Sequence, residues 1–124
     1  MCTWHEFRNV IYFNNGTGGF PLTHTYGQSG ADTRTVAVAD LDGNNTLDII
    51  TGNYSGTNYI YFNDGSGKNF TSYPFDVANG GTNIVVVADV DQNGILDVIV
   101  GNGEDDNGED GDHGSMQNVI YATF

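Results

Sequence analysis

AVADLDGNNTLDIITGN, residues 37–53, and VVADVDQNGILDVIVGN, residues 86–102, are copies of one another, and both place oxygen-bearing side chains at alternate positions. Each reads Asp-x-Asp-x-Asn-x-x-x-Asp, with Asp40, Asp42, Asn44 and Asp48 in the first copy and Asp89, Asp91, Asn93 and Asp97 in the second. A hard cation such as Ca²⁺ takes about six to eight oxygen ligands, and a short turning loop can aim alternate side chains inward while a backbone carbonyl fills a gap. By position, Thr46 and Ile95 would supply that carbonyl.

The copies lie 49 residues apart, from Asp40 to Asp89, and a second element keeps the same interval. RNVIYFNNGTGGF (8–20) recurs as TNYIYFNDGSGKNF (57–70), so that Asn9 and Asn58 are again 49 apart. A third copy, QNVIYATF, begins at Gln117, 60 residues on from its predecessor when counted from Asn58 to Asn118. The difference is an acidic run, residues 103–113, which reads as a loop insertion. A fixed period near 50 marks a propeller or solenoid, in which one supersecondary unit cannot bury its own faces alone.

Within one period the pattern predicts four short strands and an all-β chain. TVAVAD (35–40) and LDIITG (47–52) flank the acidic loop, and their Val, Ile and Ala runs predict strands covered on both faces. NYIYFN (58–63) follows, then an Asp-Gly-Ser-Gly turn, then NFTSYPFDV (69–77), where Pro74 fits only an edge strand. No helical periodicity of useful length is present, and 18 Gly punctuate the junctions. Four-stranded antiparallel sheets of this kind are β-propeller blades. The predicted organisation is an N-terminal extension (1–8), a partial blade of third and outer strands (9–26), a complete blade (27–77) with its acidic loop at 40–48, and a further blade (78–124) with its loop at 89–97. That is about two blades and a remainder, fewer than the roughly four to eight of a closed propeller. Other copies of the chain or further blades of a longer chain are therefore the expected partners.

The strand, Asp-rich loop, second strand and following Gly-Asn resemble the FG-GAP/VCBS repeats of integrin-α-like β-propellers, and the Tyr-Phe-Asn-x-Gly-x-Gly segments resemble that family's third strand and turn. The Gly-Ala-Pro triplet that names the family is replaced by Thr51-Gly52-Asn53 and Val100-Gly101-Asn102. The resemblance implies two structural Ca²⁺ ions on the eight Asp and Asn side chains, an extracellular or cell-surface location, and a role in adhesion or recognition. Gly follows Asp42 directly in the first loop but follows Asn93 in the second, which predicts turns that differ in detail. An EF-hand is disfavoured, because loop position 12 holds Thr51 and Val100 instead of Glu.

Charge and composition narrow the partners. A net charge of −13 argues against nucleic acid and anionic membrane and favours cations. No apolar stretch approaches the roughly 18 to 20 residues needed to span a bilayer, so no membrane insertion is expected. MCTWHEF lacks the apolar core of a secretion signal, and Cys2, the only cysteine, has no internal partner. The acidic run offers Asp105, Asp106, Glu109, Asp110 and Asp112 as a third cation site, although its irregular spacing reads more simply as a solvated loop.

His5, His24 and His113 are scattered and no nucleophile stands beside a base, so no enzyme activity is expected. Tyr12, Phe13, Tyr61, Phe62 and Tyr121 recur at one repeat position and read as blade packing. Trp4, Tyr54 and Tyr73 fall outside that pattern and are the candidates for contact with a glycan or an extracellular protein. A lectin propeller and a structural subunit of an extracellular fibre are the alternative functions. Four glycosylation sequons occur, of which Asn15, Asn53 and Asn69 are the candidate acceptors, since Asn44 is assigned to metal.

Overall fold

The computed structural model describes residues 8–27, 32–75, 81–103 and 119–122. The chain divides into two compact units, Met1–Ala31 and Asp32–Phe124. The first contains an antiparallel hairpin, β1 (Asn9–Phe13) and β2 (Leu22–Tyr26), in register from Asn9 opposite Tyr26 to Phe13 opposite Leu22. Its turn is held by short polar side chains: Asn14 accepts the Gly16 amide, and Asn15 Oδ1 accepts the Thr17 amide and hydroxyl.

The second unit holds two sheets. β3 (Thr33–Ala39), β4 (Asp48–Asn53), β5 (Asn58–Asn63) and β6 (Phe70–Phe75) form a four-stranded antiparallel sheet in simple sequence order. β7 (Thr82–Ala88), β8 (Asp97–Asn102) and β9 (Val119–Ala122) form a second sheet of the same order. All described pairings are antiparallel, and no described residue is helical. The all-β reading in blade-like sheets therefore holds. β6 is an edge strand, as the missing amide of Pro74 requires.

The two sheets share one core. Ile50 and Ile60 of the first sheet cluster with Val85, Val98 and Val100 of the second, together with Leu41 from the first acidic loop. Register explains the selection: Ala37, Ile50 and Ile60 are cross-strand neighbours on one face of the first sheet, and Val85 and Val100 are neighbours on one face of the second. Burial of an Ile or Val side chain contributes about 1.5–3 kcal/mol, so this cluster dominates the stability of the unit.

One expectation needs correction. β4 is buried along its whole length, but β3 and β7 are not covered on both faces. Val36, Val38, Ile84 and Val86 are exposed, while Ala37, Ala39, Val85 and Val87 turn toward the core. Apolar content on both faces of a strand shows that both could be covered, and packing within this unit covers one.

The two sheets also meet through polar groups. Asn58 lies fully buried, accepting the Asn53 amide at 2.7 Å and donating through Nδ2 to Thr82 Oγ1 at 2.9 Å. Thr82 in turn donates to Asn102 Oδ1, and Thr33 Oγ1 donates to Asn53 Oδ1. Thr33 and Thr82, and Asn53 and Asn102, are 49 residues apart, so the network is itself a repeated element.

Candidate metal centre

Each acidic loop closes the hairpin between the first two strands of its sheet, β3 to β4 and β7 to β8. The turn is built by carboxylates that accept backbone amides. Asp40 takes Gly43 and Asn44 on Oδ1 and Asn45 on Oδ2, and Asp89 takes Asn93 on Oδ1 and Gly94 on Oδ2. Asp42 and Asp91 accept the amides of Asn44 and Asn93. Asn44 Oδ1 receives both the amide and hydroxyl of Thr46, and Asn93 Oδ1 receives the Ile95 amide. These are the local side-chain-to-backbone bonds for which Asp and Asn are favoured in turns.

The loops share their backbone course despite the displaced glycine. Gly43 and Asn45 have φ of 75° and 66°, and the equivalent Gln92 and Gly94 have φ of 61° and 89°. Both loops therefore turn left-handed at the same two places, each with glycine at one of them. The expected difference between the turns is one of residue identity, not of shape. A left-handed Gln costs about 1 kcal/mol that glycine avoids. Gln92→Gly is expected to raise stability by roughly that amount, less the entropy of the added glycine, as a higher denaturation midpoint at unchanged m-value.

The last carboxylate of each loop is buried. Asp48 accepts the Leu41 amide on Oδ2 and the Asn63 amide on Oδ1, at 2.8 and 2.9 Å. Asp97 accepts the Val90 amide on Oδ2, also at 2.8 Å, and its buried Oδ1 has no hydrogen-bond partner among the described residues. The position equivalent to Asn63 is Thr123, outside those residues. Asn63 ties the first loop to the third strand: its Nδ2 donates to the Leu47 carbonyl, and its own carbonyl accepts Asn44 Nδ2 and Thr46 Oγ1. The sequence reading passed over Asn63, although Asn14 stands at the same repeat position. Asn63 and Asn14 Oδ1 both accept a turn amide two residues on.

Three carboxylates converge in each loop. Asp40, Asp42 and Asp48 offer oxygens within 4.8 Å of one another, as do Asp89, Asp91 and Asp97. Either group could hold a metal ion. In each group the three carboxylates stand close enough together to touch one ion. The donors are all oxygen, which excludes a soft-metal preference. Asn44 and Asn93 adjoin these carboxylates, with their Oδ1 atoms engaged in capping the turn. The described interactions of Thr46 and Ile95 run through the amides and the Thr46 hydroxyl.

Other candidates divide. Tyr54 is half-buried, with Arg34 over its ring at 4.5 Å from the centroid. Tyr73 is exposed and packs edge-on against Phe62. Tyr61 is buried and stacked with Tyr59; burial pushes its phenol pKa up, the neighbouring Tyr59 adds to this, and a Thr51 hydrogen bond opposes it. Tyr12, at the same repeat position, is exposed, so a shared position does not give shared burial. Asn53 is a correction among the sequons: it is buried and donates to the Thr57 carbonyl, so it offers no accessible acceptor. Asn15 and Asn69 are exposed. In the turn that carries Asn69, hydrogen bonds from the Ser66 hydroxyl and amide and from the Asn69 side chain hold the Asp64 carboxyl below its ordinary value. Trp4, His5, the side chain of Tyr121, and the acidic run from Glu104 to His113 lie outside the description.

Antiparallel blade-like sheets with an acidic loop at each first hairpin define a β-propeller-type repeat module. Comparison with family models agrees: residues 43–100 match the FG-GAP-like repeat. The match begins inside the first loop and ends in β8, spanning the second loop whole. Comparisons with curated proteins and with solved structures found no match. No helix among the described residues is long and apolar enough to cross a membrane.

Proposed function

We propose that the chain is a calcium-binding module of an extracellular or cell-surface β-propeller, serving adhesion or recognition rather than catalysis, with one structural Ca²⁺ in each acidic loop. The observation that carries the reading is the twofold convergence of three carboxylates at the same repeat position. Three like charges gathered within 4.8 Å repel one another, and a divalent ion converts that repulsion into a clamp on the hairpin. The ion's role is stabilisation, since a ligand that binds only the folded state stabilises it by mass action.

Calorimetric titration of the chelator-treated full chain is expected to show two equivalents of Ca²⁺, with a raised melting temperature. Dissociation constants of about 10⁻⁴ to 10⁻³ M fit an extracellular module. Asp40→Ala and Asp89→Ala each remove one equivalent. An unchanged melting curve between excess chelator and saturating Ca²⁺ rejects the reading.

A further inference from the structure

Asn15 is followed by Gly16 at the exposed tip of the first hairpin. The side-chain carbon of an Asn can be attacked by the backbone nitrogen of the next residue, and glycine there has no Cβ to obstruct the approach. The attack needs a nitrogen able to give up its proton and a carboxamide able to turn its carbon toward that nitrogen. The hairpin withholds both. The Gly16 amide donates to Asn14 Oδ1 at 2.8 Å. The Asn15 carboxamide oxygen accepts the Thr17 amide, the Thr17 hydroxyl and the Gly19 amide, at 2.9, 2.8 and 3.2 Å. In Asp42–Gly43, Asp64–Gly65, Asn93–Gly94 and Asn102–Gly103 the glycine amide is engaged as well, by Asp40, Asn63, Asp89 and the Gly81 carbonyl. These pairs are less open to the reaction than Asn15–Gly16. The carboxylates of Asp42 and Asp64 are poorer targets than an amide, Gly94 is held by a charged acceptor, and Asn102 and Gly103 are half-buried. Only Asn15 combines an amide target with a glycine held by one neutral side chain at an exposed turn, where local opening costs least.

We propose that Asn15 is a deamidation site, held closed by Asn14 in the folded hairpin and released when the turn opens. In this step the Gly16 nitrogen loses its proton and bonds to Asn15 Cγ. The Cγ–Nδ2 bond breaks, and the side-chain nitrogen leaves as ammonia, taking up that proton. The succinimide ring so formed adds a water molecule and reopens at either carbonyl, giving aspartate or isoaspartate. Both products place a new negative charge on the hairpin tip. Both also lack the nitrogen to which a glycan would be attached, so deamidation and glycosylation of Asn15 exclude each other. The inference stands on the turn of the first unit and is independent of the metal reading.

Incubation of the unglycosylated full chain at mildly alkaline pH, both native and in urea, tests the proposal. Conversion is read by mass in the tryptic peptide 9–34, in which Asn15–Gly16 is the only Asn–Gly pair. Wild type is expected to react more slowly when native than in urea. Asn14→Ala is expected to speed the native reaction about fivefold, the factor that one hydrogen bond of ordinary net strength withholds, and to leave the rate in urea unchanged. Asn14→Asp keeps an acceptor oxygen and is expected to react near the wild-type rate. A retained melting transition shows that the variants fold. Should Asn14→Ala not fold, Thr17→Val, which removes only the hydroxyl bond to Asn15, takes its place with a smaller acceleration expected. Equal rates for native and unfolded wild type overturn the proposal. So does a native Asn14→Ala that reacts at the wild-type rate, an acceleration equally large in urea, or an Asn14→Asp as fast as Asn14→Ala.

Discussion

Asn58→Ala is expected to lower unfolding stability by about 3 kcal/mol, because it breaks a polar junction that joins two sheets inside the core. The side chain is fully buried and serves both sides: its oxygen accepts the Asn53 amide and its nitrogen reaches Thr82 Oγ1. Alanine strips the acceptor from a buried amide and leaves space where the carboxamide stood, and each unsatisfied buried group costs about 1–3 kcal/mol. Chemical denaturation of Asn58→Ala, Thr82→Ala and the double variant separates the contributions. If the junction works as one unit, the double variant loses clearly less than the sum of the single losses. Additive losses would show that the two residues act independently.

Gly52→Ala is expected to cost about 2–3 kcal/mol by the opposite route, too much matter instead of too little. A Cβ there would lie 2.6 Å from methyl groups of both Thr35 and Thr82 and 2.8 Å from Val85 Cγ2. Two of those three methyls belong to the facing sheet, so the added carbon wedges the sheets apart. Val85→Ala in the same chain relieves one contact and is expected to recover part of the loss relative to Val85→Ala alone. A melting temperature for Gly52→Ala equal to wild type would show that the sheets slide freely enough to admit a methyl group.

The repeat made most of the architecture legible. Identical spacing of the acidic loops and of the Tyr-Phe-Asn segments fixed the strand order, and Pro74 placed the sheet edge, because the residues concerned impose local constraints whatever they pack against. The loops were legible for the same reason, since alternating Asp and Asn residues build their own turn by accepting its amides. Burial was not legible in this way. Val36 and Val85 are the same residue at the same repeat position, yet one is exposed and the other is in the core. Only the presence of a facing sheet distinguishes them, and that depends on the neighbour, not on the strand. Asn58 and Asn63 were passed over because an Asn at a strand end reads as a turn former until its partners across the sheet are known. The Gly-Asn that ends each second strand carries only the family resemblance in the sequence. In the structure its glycine admits neighbouring side chains, and its Asn joins the polar network.

Asp48 has a consequence in mechanical terms. Its two carboxylate oxygens hold the amide just beyond the end of β3 and the amide at the end of β5, while the residue itself begins β4. Three strands are therefore riveted at one corner of the sheet. An antiparallel sheet pulled from a strand end unzips one hydrogen bond at a time, and a cross-tie at that corner makes several bonds yield together. Force entering the blade from the side of the acidic loop is thus shared among three strands at this corner, through Asp48 and the Asn63 bonds beside it.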